Sequence, residues 1–479
     1  MPLSMSESVH ELPWHAQPAS ALAQAVRERR VSALELTRYF LDRIARGAAL
    51  AAFAEVTAER ALAQAEAADR LLAAGIVLGP LHGVPVAIKD SLAWEGIRAT
   101  LGSRTRLAEV STRTSTAVHR LLAHGMPILG KTRMTEFAFG LSGQNPMQGT
   151  ARNPWDSREE RAPGGSSSGS GVAVAAGLAP LAVGGDTGGS VRAPAALNGL
   201  VGFKPSSGII SRAGCLPLSD SLDVLGPITR TVQDARLLTQ VLAGPDSEDA
   251  ITLQTSSATW AALPHAHPFA PKRAMFLPPE HWPVALSAQA RAHWDGTLTA
   301  LVGAGWTLTP WQVPSSLSFA RMAQDNSCVL GYEGWRHWGH LADDAAQPMW
   351  DVVRTRLFGG RDTPRVAYEA ALARRSADQA AFAQAMPAGE VLLLPACDQG
   401  AQPLDDADVR HAGLGLLLRP ANFLDAPAVA LPSGRDEDGM PLSLQVMAPT
   451  GQDARLLDAA SALMSVLGIG LPDLSAWQL

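Results

Sequence analysis

The sequence predicts an α/β fold: a mixed, mostly parallel central β-sheet flanked by helices on both faces. Three observations carry this expectation. Short apolar runs recur along the chain, with helical patterns between most of them. Hydrophobic residues fill 47% of the 479 positions and charged residues only 18%, which suits a large buried core and excludes global disorder. Glycine (43) and proline (34) are frequent enough to supply the many tight turns that such alternation needs.

Residues 20–75 read as helices. Ser32-Ala-Leu-Glu35 is a capping box, and Leu36, Phe40, Leu41 and Ile44 behind it keep helical spacing. An alanine-rich helix follows over about 57–73, with Gly75 as its stop. The pattern then changes. "LHGVPVAIKD" (81–90) holds a short β-branched run that ends on Lys89 and Asp90. "STAVHRLLAHGMPILGKT" reads as a helix, a turn at Gly125 and a strand at about 127–130. A helix at about 170–178 precedes a strand near 181–184. Further strands are expected at 274–278, 390–395, 427–432 and 442–447. Between about 255 and 390 the glycine motifs nearly vanish and Ala, Trp and Arg dominate. The expected organisation is an N-terminal helical region (1–75), a core (76–250), a variable, mainly helical cap (251–390) and a C-terminal part of the core sheet (391–479), in one compact domain.

A net charge of −6 and a pI near 6.1 argue against nucleic-acid binding, which needs a basic face. No uncharged apolar run reaches the roughly 20 residues that span a bilayer, and "MPLSMSESVHELPWH" lacks the charged and apolar regions of a secretory signal. Cys215, Cys328 and Cys397 are far apart and form no CxxC pair, so reduced thiols and a cytoplasmic location are expected. Glu333, His337 and His340 share one helix face, but without the HExxH order. They read as polar tips of an amphipathic helix, and no metal or organic cofactor is expected.

"GGDTGGSVRAP" (184–194) follows a strand and places Ser190 behind two glycines, where outward N–H groups can stabilise an oxyanion. A plain glycine turn explains the motif alone equally well. "GSSSG" (165–169) matches the G-x-S-x-G elbow with Ser167 as nucleophile, His411 being the distal histidine in a suggestive place. Against it, the preceding "RNPWDSREERAP" is polar and turn-like rather than a strand. The other available base is Lys89. At the end of an apolar run it is drawn inward, and burial lowers a lysine's pKa towards neutrality; an isolated VAIKD would instead suggest a surface lysine paired with Asp90.

Three segments together resemble the amidase signature family of serine hydrolases. They are "GVPVAIKD", "PGGSSSGSGVAVAAGLAPLAVGGDTGGSVRAPAALNGLVGFKPSSG" and "ANFLDAPAVALPSGRDEDGMPLSLQVMAP". The resemblance covers about 20–245 and 390–470. It implies a Ser–cis-Ser–Lys triad of Ser190 (nucleophile), Ser166 (proton bridge, behind a cis Gly165–Ser166 peptide) and Lys89 (base). It implies an oxyanion hole at the N–H groups of Thr187, Gly188, Gly189 and Ser190, with Asp186 and Arg192 holding that loop. Met134, Phe137 and Phe139 are equally suited to the acyl pocket or to core packing. Two departures stand out: Arg133 where "GKTRMTEF" usually has asparagine, and Asp425 where the tail usually has glycine. The implied activity is hydrolysis of a small amide, aryl amide or carbamate, with esters open to the same chemistry, a homodimer among the allowed assemblies, and no nucleic-acid or membrane partner. The alternative is the glutaminase subunit of a tRNA-dependent amidotransferase. "AQDNSCVLGYEGWRHWG" departs from that subunit's usual cap segment, which favours the free hydrolase.

Overall fold

In the computed structural model, which describes residues 12–107, 110–405 and 412–479, eleven strands form one sheet. They are β1 (Phe53–Val56), β2 (Val86–Lys89), β3 (Ile128–Thr132), β4 (Ala182–Asp186), β5 (Val201–Lys204), β6 (Val224–Thr229), β7 (Arg273–Phe276), β8 (Thr307–Pro310), β9 (Leu392–Pro395), β10 (Ala428–Arg435) and β11 (Pro441–Met447). Their order is β1-β3-β2-β4-β6-β5-β10-β11-β9-β7-β8. The helices are α1 (Ala19–Arg27), α2 (Ala33–Arg46), α3 (Ala58–Ala73), α4 (Thr116–Ala123), α5 (Ser168–Ala175), α6 (Arg192–Asn198), α7 (Val232–Leu242), α8 (Ser257–Ala262), α9 (Ala288–Gly303), α10 (Phe319–Asp343), α11 (Asp351–Arg361), α12 (Arg365–Ala385), α13 (Ala412–Phe423) and α14 (Asp453–Met464).

The α/β class holds, and the sheet is mixed with helices on both sides. The expectation of mostly parallel pairing is corrected. Parallel pairs join β2 to β3 and β4, and β7 to β8 and β9; the other six neighbouring pairs are antiparallel. Helical crossovers connect the parallel strands at the two sides. The middle is built by returns such as β10–β11, joined by a tight turn at 436–440, which can only pair antiparallel.

Local signals set several elements. Ser32 Oγ accepts from Glu35 N at 3.0 Å and the Glu35 carboxylate accepts from Ser32 N at 2.9 Å, so the capping box is formed. Gly75 follows α3 with φ +79°, the left-handed conformation glycine takes without strain. Strands β1, β5, β6 and β8 are additions to the expected set. β6 reads "VLGPIT", and its glycine and proline speak against a strand. The glycine answers to packing instead: a Cβ at Gly226 would lie 2.1 Å from Phe203 O of β5.

Alternate residues of β9 face two different cores, as strand geometry requires. Leu393 joins Val429, Leu444 and Val446 against Leu456 and Leu457 of α14 and Trp294 of α9. Leu392 and Leu394 join Phe319 and Met322 of α10 and Phe382 of α12. A third core packs Val86, Ile88 and Val183 against α1, α2 and α5. The segment 251–390 contains β7, β8 and α9, which extend the central sheet, as well as α10–α12. Four of its tryptophans, Trp294, Trp306, Trp311 and Trp338, are buried in the cores.

Candidate active site

Strand β2 delivers Lys89 and strand β4 delivers the loop 187–191, side by side in the sheet. Lys89 is 2% exposed; its Nζ donates to Ser166 Oγ at 2.8 Å and to Gly185 O at 3.2 Å. Burial lowers its pKa to about 8, against the pull of Asp223, Asp186 and Cys215. Asp90, the alternative partner expected for a surface lysine, is instead bound to the neighbouring Lys131 at 2.9 Å, both side chains buried. The lysine beside Ser166 is therefore the one left without a carboxylate in contact.

The Gly165–Ser166 peptide is cis, and Ser166 is fully buried, its carbonyl accepting from Thr135 N at 3.0 Å. Ser190 lines a cavity of about 380 Å³. The elbow reading of Ser167 finds no support in its surroundings. Its hydroxyl lies 3.3 Å from Gly185 O and Gly185 N, and its N–H donates to Ser190 O at 3.3 Å. Ser167 thus ties the start of α5 to the loop that carries Ser190. His411 lies outside the described residues.

Asp186 and Arg192 form the network that holds this loop. Arg192 Nε and Nη2 meet the Asp186 carboxylate at 3.0 and 2.9 Å, with both side chains fully buried. Burial works to raise the Asp186 carboxyl, but Arg192 and Asn422 hold it well below the usual range. Asp186 also accepts from the N–H groups of Gly189 (2.7 Å) and Val191 (3.1 Å). This refines the expected oxyanion hole: the Gly189 N–H is already engaged, which leaves those of Thr187, Gly188 and Ser190 as candidate donors. Gly189 has φ +121°, and a Cβ there would lie 2.7 Å from Leu418 Cβ.

Several members of this constellation have contacts that the sequence does not reveal. Asn422 donates to Asp186 O and Oδ1 at 3.0 and 2.9 Å and accepts from Arg192 at 2.6 Å, while Gln445 accepts from Arg192 at 2.5 Å. Thr187 Oγ1 donates to Asp223 Oδ1 at 2.5 Å, and burial raises the Asp223 carboxyl. Arg419 and Arg356 line the cavity with Ser190. Asn422 and Gln445 stand inside the third of the resembling segments, which marks them without giving them a role; a polar residue in the otherwise apolar α13 is the sequence signal for Arg419, and nothing local marks Asp223 or Arg356.

Of the three pocket candidates, only Phe139 lines the cavity. Met134 and Phe137 are fully buried in a core with Trp338 and Leu357, Phe137 standing 5.5 Å from Trp338 between ring centres. The backbone explains the split: Phe137 and Ala138 both have positive φ (50° and 58°). This turn sends Phe137 inward and leaves Ala138 on the wall shared by the Ser190 cavity and an adjoining cavity of about 190 Å³ that Lys89 lines. Arg133 binds the carbonyls of Phe53, Gln148 and Gly149, fastening β1 to the 145–149 loop. Asp425 lines neither cavity. With φ +52° it occupies the left-handed region a glycine would favour, and its carboxylate accepts from Ser207 N at 2.9 Å. Glu333 accepts from Ser219 Oγ, Ser221 N, Ser221 Oγ and Tyr368 OH, and His337 meets Asp220 at 3.1 Å. That helix face pins the 217–223 loop.

Three comparisons place the chain among known proteins. The Amidase family model matches residues 35–457. A glutamyl-tRNA(Gln) amidotransferase subunit from Ralstonia nicotianae is 35% identical, over 93% of this chain and 97% of its own length. A solved s-triazine catabolic enzyme in an inhibitor-bound complex is 30% identical, with a TM-score of 0.85 over 95% of this chain and all of its own. The peptide amidase of Stenotrophomonas maltophilia is 26% identical, with a TM-score of 0.80 over 97% of this chain and all of its own.

Proposed function

The chain belongs to the amidase family, and from that premise we propose that it hydrolyses the C–N bond of a small amide through an acyl-enzyme on Ser190. The observation that carries the reading is the buried Lys89–Ser166 hydrogen bond of 2.8 Å next to a cavity lined by Ser190. Neutral Lys89 accepts the Ser166 proton while Ser166 accepts that of Ser190. Ser190 Oγ adds to the carbonyl carbon. The N–H groups of Thr187, Gly188 and Ser190 receive the oxyanion, each such donor contributing about 2.7–4 kcal/mol. The proton returns through Ser166 to the leaving nitrogen and the C–N bond breaks. Water then enters by the same relay and releases the acid. Asp186 and Arg192 keep the donor loop in place during both additions. Aryl amides, carbamates and esters present the same carbonyl to the same groups.

A second reading is favoured by the name of the Ralstonia relative: the glutaminase subunit of a tRNA-dependent amidotransferase, releasing ammonia from glutamine within a complex. That name supports this reading more directly than any observation supports a free anilide or carbamate hydrolase. Ammonia release from glutamine by the isolated chain, compared with turnover of p-nitroacetanilide and a carbamate, separates the two. Glutamine turnover alone selects the glutaminase. Anilide or carbamate turnover without glutamine selects the free hydrolase. No turnover together with no acylation of Ser190 refutes both.

A further inference from the structure

We infer that Arg419 is an anion-binding residue of the Ser190 cavity, and that the amide cleaved there carries a carboxylate. This rests on the amide hydrolysis proposed for Ser190. Arg419 is on α13 and lines the same cavity as Ser190. Its side chain occupies a space that two glycines keep open. A Cβ at Gly188 would lie 3.1 Å from Arg419 Cγ, and a Cβ at Gly415, one turn earlier on α13, would lie 2.7 Å from both Cζ and Nη1. Among the described residues no hydrogen bond or ion pair engages the guanidinium. The described residues lining this cavity include no aspartate or glutamate, and they include a second cation, Arg356. Burial and then Arg356 lower the Arg419 pKa to about 10, which leaves it cationic at neutral pH.

A half-buried arginine with its donors unspent is incompletely compensated by itself. A carboxylate answers it with paired, charge-assisted hydrogen bonds. Gly188, against which Arg419 packs, stands two residues before Ser190, so one short molecule can reach both groups. The monoamide of a short dicarboxylic acid, such as succinamate, has this form. Glutamine brings the same carboxylate and adds an ammonium, for which the described wall of this cavity offers no counter-charge.

The test measures kcat/KM for succinamate and for its uncharged analogue butyramide, in the wild type, Arg419→Gln and Arg419→Lys. Binding of succinate to Ser190→Ala is followed by calorimetry. Wild type is expected to prefer succinamate, and the succinamate-to-butyramide ratio should fall roughly 10- to 100-fold in Arg419→Gln, with Arg419→Lys in between. Succinate should bind Ser190→Ala and lose that binding when Arg419→Gln is added. An unchanged ratio in both variants, or a wild type indifferent to the carboxylate, overturns the proposal while the hydrolysis reading stands. Arg419-dependent succinate binding without turnover of any amide upholds the anion site and refutes the hydrolysis. Should Arg419→Gln fail to fold, the Arg419→Lys ratio and succinate competition in the wild type still decide.

Discussion

Raising the pH from 7 to 9 should increase kcat/KM about tenfold. The perturbation acts on Lys89, which must be neutral to accept the Ser166 proton. With its pKa lowered to about 8, the neutral fraction is about 9% at pH 7, about 50% at pH 8 and about 90% at pH 9. Of the neighbouring groups, Cys215 is pushed up to about 12 by burial, Asp186 is held far below the window, and burial raises the Asp223 carboxyl. One other buried lysine, Lys204, is also lowered to about 8, but it donates to Pro205 O at 2.8 Å and lines neither cavity. The assay is ammonia release from butyramide, whose charge does not change with pH, in the wild type and in Lys204→Met. Both should show one rising limb of unit slope below pH 8 and a plateau above it. A flat or falling profile, or a limb that disappears with Lys204→Met, would refute the assignment of Lys89 as the base.

Ser190→Ala should abolish turnover and covalent labelling by a serine-directed phosphonate, while Ser167→Ala should remain labelled; labelling that survives Ser190→Ala would move the nucleophile elsewhere. Asp186→Asn leaves a buried Arg192 without its counter-charge and should destabilise the fold by about 3–5 kcal/mol in urea unfolding; a loss below about 1 kcal/mol would show that Asn422 and Gln445 suffice. Lys89→Met should be more stable than the wild type at pH 7. The folded pKa is below the unfolded one, so the wild type carries a penalty of up to about 3 kcal/mol below pH 8, relieved as the pH rises towards 10.5. The lost hydrogen bonds to Ser166 and Gly185 subtract roughly 1 kcal/mol each. Urea unfolding at pH 7 and 9.5 reads the gap, and a gap that does not narrow at the higher pH sinks the linkage.

What the sequence makes legible is local. The Ser32–Glu35 box and the apolar runs ending at Lys89 and Asp186 depend on neighbours a few residues away, and the glycine-serine segment is long enough to reveal its kinship. What it hides is long-range. Asn422 reaches Asp186 across 236 positions and Gln445 reaches Arg192 across 253, so no window on the chain contains both partners. β6 is hidden by its own residues, because Gly226 and Pro227 lower strand propensity while the close approach of Phe203 requires the glycine. Phe137 and Phe139 cannot be told apart in the sequence because their faces are set by two left-handed residues, neither of them glycine.

Helix α10 bears on how the substrate range of such an enzyme could be changed. Asn326 donates to Thr187 O at 3.4 Å, Glu333 fastens residues 219–221, and Phe319 and Met322 enter the core against β9. The helix is at once wall, clamp and foundation. Transplanting 319–385 from a relative as an exchangeable specificity module would therefore also replace the support of the loop that carries Ser190. Engineering should keep α10, and Phe382 of α12 in the same core, and vary the rest of α11 and α12 upon them.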